Sequence, residues 1–209
     1  MRLLMVEDHA IVRAGFHRML ADAFPDLTFG EAGSASEAIR EVRESPWDMV
    51  VLDLSLPGAG GLDILAELRT LAPQLPVLIM TMYGESEYAV RAFRSGASGY
   101  ITKGNAPEQM LEAVRKVLSG GRYVSRDLAE RLAGSLSADA SRPLHETLSN
   151  REFQVFRLLA AGKTVKGIGH ELHLSHKTVS TYRSRVLEKM HLGSTAELIR
   201  YAHRMSLVD

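Results

Sequence analysis

The sequence predicts an α/β domain with a doubly wound, parallel five-stranded sheet, followed by a small all-α domain. Two patterns lead to this prediction. Through the first 119 residues, short apolar runs alternate with segments whose apolar residues recur at helical spacing. After Pro143 every apolar pattern is helical. Alternating strands and helices are typical of parallel sheets, whose right-handed crossovers place helices on both faces.

The run Met49–Pro57 is the strongest strand signal. Four apolar residues lead directly into Asp53, and Pro57 ends the segment. A short, continuous apolar run of this kind is typical of a strand buried on both faces of a parallel sheet. Asp53 would then lie at the carboxyl end of the strand, the edge where open α/β sheets place their chemistry. An acid there can also be purely structural, so Asp53 alone does not define a site.

Four further strands and five helices complete the first domain. The other strand-like runs are Arg2–Val6, Thr28–Ala32, Pro76–Met80 and Gly99–Ile101. Helical spacing predicts helices over Ala10–Ala23, from Ser34 through Val42, and over Leu62–Leu71, Ser86–Ser95 and Ala106–Leu118. Ser34 followed by Glu37 is a capping-box pattern that begins the second helix.

The region after residue 120 separates the two domains. Arg122–Gly134 could form one helix, whereas Ser135–Arg142 is small and polar, which is typical of a flexible tether. We therefore predict a first domain at residues 1–120, a partly helical linker at 121–143 and a second domain at 144–209.

The second domain is predicted to be helical throughout. Its helices are expected from Ser149 to Gly162 and over Val165–Leu172, His176–Met190 and Ser194–Met205. A short helix, a tight turn and a longer helix are the parts of a helix-turn-helix.

Composition narrows the function classes. The 209 residues include no cysteine, which excludes disulfides and thiolate metal sites. Apolar runs fall far short of the ~20 residues that span a bilayer, and the N-terminus begins as a strand rather than as a signal peptide. We therefore expect a cytoplasmic protein.

The charges are unevenly distributed although they sum to zero. Residues 1–119 hold 11 basic and 16 acidic residues, whereas residues 144–209 hold 10 basic and 6 acidic residues together with six histidines. This asymmetry indicates different partners for the two domains, although two solvated surfaces could also differ in this way by chance.

Reactive side chains follow several of the predicted strands. If the strands are parallel, Glu7, Asp8 and Asp53 converge at one edge, where three carboxylates repel one another unless a cation joins them. Oxygen ligands with no His or Cys beside them favour Mg²⁺. Lys103 adds a positive charge, and Thr81 can offer a hydroxyl to a phosphoryl oxygen. A carboxylate nucleophile, a divalent cation and a lysine are what phosphoryl transfer requires.

Residues 1–119 resemble the receiver domain of two-component response regulators, which has a flavodoxin-like fold. The resemblance is carried by Glu7, Asp8, Asp53, Pro57, Gly61, Thr81, Tyr100 and Lys103. It implies that Asp53 accepts a phosphoryl group from a sensor histidine kinase.

The resemblance also implies roles for the neighbouring residues. Asp8, Asp53 and the Ser55 backbone carbonyl would bind Mg²⁺ directly, and Glu7 would act through water. Thr81 and Tyr100 would be a coupled switch pair, in which Tyr100 turns inward when Thr81 moves toward the phosphoryl group. Without the resemblance, Tyr100 could equally be a half-buried strand aromatic.

Met82 departs from the receiver pattern, because a small residue normally follows the switch threonine. Its bulk could narrow access to the phosphorylation pocket. We hypothesise slower phosphotransfer or slower hydrolysis of the aspartyl phosphate.

The helix His176–Met190 is basic on its predicted outer face. The face carries hydroxyl and basic residues, namely Lys177, Thr178, Ser180, Thr181, Arg183, Ser184, Arg185 and Lys189. The apolar set Val179, Tyr182, Val186 and Met190 would face the core. Such a helix fits the major groove of DNA, because Lys and Arg neutralise phosphates while short hydroxyl side chains approach base edges. A basic face alone can be simply solvated, but the preceding short helix and turn favour DNA binding.

Residues 148–204 resemble the DNA-binding domain of the LuxR/FixJ/NarL type. The resemblance is carried by Leu148–Glu152, Gly162, Lys163, Leu172, Leu174, Ser175, Lys177–Arg183, Lys189 and Leu192–Leu198. It implies that Thr178–Lys189 is the recognition helix and that Ser194–His203 pairs two such domains on DNA. Ser180, Thr181 and Ser184 match the groove-contacting positions, where some relatives have lysines.

Two glycines lie inside the predicted short helix of this domain. Gly167 and Gly169 each cost a helix about 1 kcal/mol relative to alanine. Close packing against the recognition helix would explain them, and we favour this over a soft helix that becomes ordered on DNA.

Together these patterns predict a phosphorylation-activated, DNA-binding transcriptional regulator. It is expected to dimerise when phosphorylated or on DNA, and to catalyse no reaction other than phosphoryl transfer to its own Asp53. Two alternatives remain. A Mg²⁺-dependent phosphohydrolase could use Asp53, but such enzymes usually place a second carboxylate two residues later, where this chain has Ser55. The other alternative is a scaffold that works without phosphorylation.

Overall fold

The computed structural model describes residues 1–57, 60–82, 87–104, 107–125, 128–130, 143–205 and 207–208. Tertiary contacts divide the chain into two compact units, Met1–Ser137 and Ala138–Asp209. Within the described ranges, every helix is too short or too polar to cross a membrane.

The first unit contains the predicted parallel sheet. Its strands are β1 (Arg2–Val6), β2 (Thr28–Ala32), β3 (Met49–Leu52), β4 (Val77–Thr81) and β5 (Gly99–Thr102). They lie in the order β2-β1-β3-β4-β5, and all neighbours are parallel. The predicted fold class is therefore confirmed for this unit. β3 lies at the centre of the sheet, and all its residues are fully buried.

Five helices connect and follow the strands. They are α1 (Ala10–Ala23), α2 (Ala35–Glu44), α3 (Gly61–Leu71), α4 (Glu87–Arg94) and α5 (Pro107–Leu118). On one face of the sheet, Phe16 and Leu20 of α1 join Val114 and Val117 of α5 in a core with side chains from β1, β3, β4 and β5. The predicted first residues of α4 and α5, Ser86 and Ala106, lie outside the described residues.

The segment after α5 differs from the prediction of a helix beginning at Arg122. Residues 122–125 are not helical, and Tyr123 forms a parallel bridge with Gly99 of β5. The Tyr123 amide donates to the Ser98 carbonyl at 3.1 Å, and the Tyr123 carbonyl accepts from the Tyr100 amide at 3.2 Å. The start of the predicted helix is wrong because backbone groups at the open edge of β5 bind an extended segment. Residues 128–130 are helical, and the predicted tether at 135–142 lies outside the described residues.

The second unit is all-helical, as predicted. A 3₁₀ helix (Leu144–Thr147) precedes α6 (Asn150–Ala160), α7 (Val165–Glu171), α8 (His176–Lys189) and α9 (Thr195–Arg204). Each α-helix begins after a hydroxyl side chain that accepts from a backbone amide of the first turn; these caps are Ser149, Thr164, Ser175 and Ser194. Capping of this kind satisfies amide groups that have no partner inside the helix.

Aromatic side chains fill the core of the second unit. The Phe153 and Phe156 rings of α6 stack with centroids 5.8 Å apart, and Tyr201 of α9 meets Phe156 edge to face. The Tyr201 hydroxyl lies 2.9 Å from His145 Nδ1, which attaches the 3₁₀ helix to α9. These contacts join α6, α9 and the 3₁₀ helix in one aromatic core.

Candidate functional site

The carboxyl edge of the sheet brings together Glu7, Asp53 and Lys103. Glu7 follows β1, Asp53 follows β3, and both side chains are fully buried. The Lys103 ammonium, which follows β5, donates to Asp53 Oδ2 at 2.8 Å and to Glu7 Oε2 at 2.5 Å. Because β5 lies two strands from β3, only a long side chain can cross β4 to reach Asp53.

His9 also belongs to this cluster, although the strand-end pattern predicts carboxylate ligands with no histidine beside them. The His9 Nδ1 atom lies 2.8 Å from Glu7 Oε1 and 2.9 Å from Asp8 Oδ1. The expectation of a site without His is therefore wrong. His9 directly follows Asp8 in the sequence, so it could have been considered, but only the turn after β1 directs its ring back to the carboxylates.

The burial of the cluster shifts its ionisation. Burial raises the pKa of Asp53, and the Lys103 ammonium opposes this shift only in part. Burial also acts to raise the pKa of Glu7, but hydrogen bonds from Lys103 and His9 outweigh it and hold that pKa below its ordinary value. Burial acts to lower the pKa of Lys103, yet its contacts with Asp53 and Glu7 raise it. The ammonium is therefore held in its charged form between two carboxylates.

The donor set fits a hard divalent cation. Ligand atoms of Glu7, Asp8 and His9 all lie within 4.8 Å of one another. The Asp8 Oδ1 atom is buried and accepts no hydrogen bond of regular geometry from the described part of the chain. Beside the His9 imidazole, Glu7 and Asp8 contribute carboxylate oxygens, which are the hard ligands that Mg²⁺ prefers.

The remaining predicted residues of the first unit lie around this edge. The Ser55 amide donates to Asp53 Oδ1 at 3.1 Å, which fixes the carboxylate that follows β3. Thr81 is fully buried, and its carbonyl accepts from the Lys103 amide at 2.8 Å. Tyr100 is fully buried rather than half-buried. Met82 is 72% exposed, so its side chain extends into solvent.

Predicted contact residues of α8 lie mainly on its solvent face. Lys177, Thr181, Ser184, Arg185 and Lys189 are exposed, and Thr178, Ser180 and Arg183 are partly exposed. Three members of the apolar set, Val179, Val186 and Met190, are buried. Tyr182 is only partly buried. The helix thus has the two faces that the sequence predicts.

Two of the hydroxyl groups on α8 already have partners within the domain. Thr178 Oγ1 lies 2.7 Å from the Ser175 hydroxyl of the N-cap, and Thr181 Oγ1 donates to the Lys177 carbonyl at 3.0 Å. Both hydroxyls retain acceptor capacity for a further hydrogen bond.

Two of the basic residues that are predicted to contact DNA form hydrogen bonds with neighbouring helices. The Lys189 ammonium donates to Glu152 Oε2 of α6 at 2.7 Å, and Arg183 Nε donates to Thr195 Oγ1 of α9 at 2.9 Å. Lys189 is nevertheless exposed and Arg183 partly exposed, so both side chains lie at the solvent face while they bind neighbouring helices.

Close packing explains one of the two glycines in α7. A Cβ on Gly169 would lie 2.8 Å from the Leu174 carbonyl and 3.8 Å from a Val179 methyl of α8. Gly169 is therefore closely packed, but its tightest neighbour is the turn before α8, and α8 itself lies at ordinary contact distance. Gly167 is exposed, and a Cβ would approach only Thr164 Oγ1, at 3.3 Å.

Comparison with known proteins gives a match for each unit. Residues 3–115 match the family model of the response regulator receiver domain. Residues 146–202 match the family model of bacterial regulatory proteins of the luxR family.

Relatives and solved structures agree with this division. The chain is 37% identical over 209 residues to response regulator GacA of Pseudomonas viridiflava, covering 100% of this chain and 98% of the relative. It is 39% identical to a solved LuxR-family two-component response regulator from Aurantimonas sp. SI85-9A1, with a TM-score of 0.59 over 66% of this chain and 98% of the other. RcsB from Salmonella enterica serovar Typhimurium, solved bound to promoter rprA in the presence of the phosphomimetic BeF₃⁻, shares 24% identity. Its TM-score of 0.65, over 96% of this chain and 97% of RcsB, reflects a common fold. The chain belongs to the two-component response regulators of the NarL/FixJ family, transcription regulators that join a receiver domain to a LuxR-type DNA-binding domain.

Proposed function

We propose that Asp53 is the phosphoacceptor of this regulator and that a sensor histidine kinase is the donor. The observation that carries the proposal is the contact of one ammonium, Lys103 Nζ, with the carboxylates of both Asp53 and Glu7. This arrangement neutralises negative charge at the point where a phosphoryl group would arrive.

The proposed transfer is a nucleophilic displacement at phosphorus. An Asp53 carboxylate oxygen attacks the phosphorus of a phosphohistidine on the kinase, and a P–O bond forms as the P–N bond breaks. The imidazole leaves with the bonding electron pair, and an aspartyl phosphate remains. Lys103 pairs with the phosphoryl oxygens, and the Thr81 hydroxyl donates to one of them. The chain promotes this step on itself and performs no further turnover.

Asp8, Asp53 and the Ser55 carbonyl would hold Mg²⁺ directly, and Glu7 would hold it through water. When bound, the ion supplies positive charge that screens the carboxylates from the incoming phosphoryl group. Ser55 is suited to this role because its amide fixes Asp53 Oδ1, which holds the backbone of this turn beside the carboxylate.

Phosphorylation would act on the DNA-binding domain through Thr81 and Tyr100. A phosphoryl group on Asp53 draws the Thr81 hydroxyl toward it, and the buried state of Tyr100 is then favoured. The phosphoryl group shifts the equilibrium between the inactive and active conformations of the receiver only if its contacts in the two conformations differ in free energy. The result would be dimeric binding, in the cytoplasm, to DNA half-sites about one helical turn apart.

The domains of this mechanism are proposed at 1–120 and 144–209, joined by the linker 121–143. In the DNA-binding domain, α8 would enter the major groove, with Ser180, Thr181 and Ser184 near base edges. α9 would pair two copies of the domain.

The decisive experiment is phosphorylation of the full chain with acetyl phosphate and Mg²⁺, compared with an Asp53→Asn variant. A mass increase of one phosphoryl group in the wild type alone is expected, together with tighter DNA binding and a dimer by light scattering. Asp48→Asn is a matched control, because Asp48 is an exposed acid at the opposite end of β3.

The two alternatives predict different results in the same experiment. Continuous release of phosphate from simple phosphate esters would support the phosphohydrolase. A chain that neither acetyl phosphate nor beryllofluoride modifies at Asp53 would support the scaffold that works without phosphorylation.

A further inference from the structure

We propose that three basic residues of α8 have two different roles: Lys177 and Arg185 bind DNA phosphates, whereas Lys189 is a positioning residue that orients α8 through Glu152. The inference deepens the proposed DNA-binding role of this helix and rests on it.

The division follows from where each residue lies around the helix axis. Successive residues of an α-helix are about 100° apart, so Lys177 lies about 180° from buried Val186 and Arg185 about 100° from it. Lys189 lies only about 60° from Val186. Lys177 and Arg185 thus point away from the domain core, whereas Lys189 borders the buried face.

Position along the axis leads to the same conclusion. In a helix-turn-helix, residues near the N-terminus of the recognition helix contact DNA. Lys177 is the second residue of α8, and Lys189 is the last. At 1.5 Å per residue the two lie about 18 Å apart along the axis, so Lys189 is far from the end of the helix that contacts base edges.

The Lys189 ammonium is already paired with a buried carboxylate. Glu152 has a side chain only 4% exposed, and its Oε2 atom accepts from both Lys189 Nζ at 2.7 Å and the Ser149 amide at 2.8 Å. Burial acts to raise the pKa of Glu152, yet these hydrogen bonds hold it below its ordinary value. Moving Lys189 to a phosphate would leave this carboxylate buried without its cation, which is strongly unfavourable.

The pair joins the C-terminal end of α8 to the N-terminal cap of α6. Glu152 completes a capping box with Ser149, so the acceptor that holds Lys189 is itself fixed at the start of a buried helix. Lys177 and Arg185 have no such partner among the described residues, and their side chains are exposed. Their ammonium and guanidinium groups can therefore bind phosphates without breaking a contact in the protein.

Salt dependence of DNA binding separates the two roles. The full chain, activated with beryllofluoride and Mg²⁺, is titrated with a duplex selected from a random library and with an unrelated duplex of equal length. Each phosphate contact adds about 0.9 to the slope of log affinity against log salt. Lys177→Gln and Arg185→Gln should each lower that slope by about this amount and weaken both duplexes alike.

Lys189→Gln should leave the salt slope unchanged. It should reduce the ratio of affinities for the selected and the unrelated duplex by about tenfold, a size typical of the coupling between two residues in direct contact, here Lys189 and Glu152. Glu152→Gln should reproduce this effect, because glutamine keeps the capping acceptor but loses the charge. Lys189→Arg should retain the wild-type ratio of affinities for the two duplexes, because arginine keeps a cation that can pair with Glu152. Loss of folded protein alone would weaken both duplexes equally and leave their ratio unchanged, so an unchanged ratio overturns the inference.

A Lys189→Gln variant whose slope falls as far as that of Lys177→Gln would also overturn it, as would a Glu152→Gln variant with wild-type preference. If Lys189→Gln does not fold, Glu152→Gln and Lys189→Arg still decide the question. Failure of the wild-type chain to bind either duplex would instead contradict the proposed DNA-binding function itself.

Discussion

Lys103 Nζ donates to Asp53 Oδ2 at 2.8 Å, although the two residues are 50 positions apart in the sequence. The contact spans β4, which separates the strands that precede these residues. It also joins Asp53 electrostatically to Glu7 on a third strand, since the same ammonium binds both carboxylates. The proposed phosphorylation of Asp53 would therefore depend on residues from three strand ends.

Removing this ammonium should slow phosphorylation. We expect Lys103→Gln to lower the rate of labelling by acetyl phosphate by about 10²-fold, because one preorganised charge at the reacting oxygens is lost. Mass spectrometry at timed intervals measures the rate. Lys116→Gln on the exposed side of α5 is the control, and its rate should equal that of the wild type. Equal rates for both variants would show that Lys103 has no part in the transfer.

The close approach of α3 to the turn after β3 should make Gly61 intolerant of a side chain. A Cβ there would lie 2.3 Å from Leu54 Cα, which is backbone directly after Asp53. Gly61→Ala should lower the free energy of unfolding by about 1–3 kcal/mol and slow phosphorylation.

Gly15→Ala is the matched control, because a Cβ at this position in α1 meets nothing within 4 Å. It should raise stability by about 0.5–1 kcal/mol, since alanine is the better helix former. Denaturant unfolding measures both variants, and a Gly61→Ala variant at least as stable as the wild type would contradict the packing argument.

The glycines of the second unit allow a similar test. Gly169→Ala should destabilise the DNA-binding domain and weaken DNA binding, because the new methyl would meet the Leu174 carbonyl at 2.8 Å. Gly193→Ala should have little effect, since its nearest neighbours lie at 3.5 Å. If α7 were instead a soft helix that becomes ordered on DNA, Gly169→Ala would strengthen it and tighten binding. Thermal unfolding and anisotropy titrations distinguish these outcomes.

The contribution of Glu152 to stability should depend on pH. Its folded-state pKa lies below the ordinary value of 4.5, so the ionised form is the one that folding favours. The contribution is fully present above that ordinary value and is lost as the pH falls through the lower, folded-state pKa. The stability difference between wild type and Glu152→Gln should therefore shrink as the solution is acidified below about pH 4.5.

Calorimetry of both chains across this range provides the measurement. Taking the difference between the unfolding free energies of the wild type and of Glu152→Gln at each pH cancels the contributions of all other acidic residues. A difference that stays constant, or that grows toward low pH, would contradict the assigned direction of the shift.

Met82 should influence the kinetics of the phosphorylation pocket through its bulk. Under the hypothesis that the bulk of Met82 narrows access to Asp53, Met82→Ala is expected to speed phosphotransfer or hydrolysis of the aspartyl phosphate. Its 72% exposure allows substitution without a loss of core packing, so unfolding stability should stay unchanged. Phosphorylation and decay rates equal to those of the wild type would end the hypothesis.

Periodic patterns allowed much of this structure to be predicted. The five apolar runs and the helical spacing between them determine the order of strands and helices. Each buried strand or helix face requires its own pattern of apolar residues within a short stretch of sequence, so the pattern can be recognised without the tertiary structure. The carboxyl ends of parallel strands must share one edge, so Asp53, Glu7 and Lys103 could be expected to lie near one another.

Tertiary structure decided what local patterns cannot encode. His9 turns back onto Glu7 and Asp8, and the segment around Tyr123 pairs with β5 instead of forming a helix. Lys189 is exposed, as predicted, but its ammonium binds Glu152 of another helix. Each outcome depends on a partner brought near by the fold of the whole domain. A side chain's charge and helical position are fixed by the sequence itself, whereas its binding partner depends on which groups folding brings within hydrogen-bonding distance.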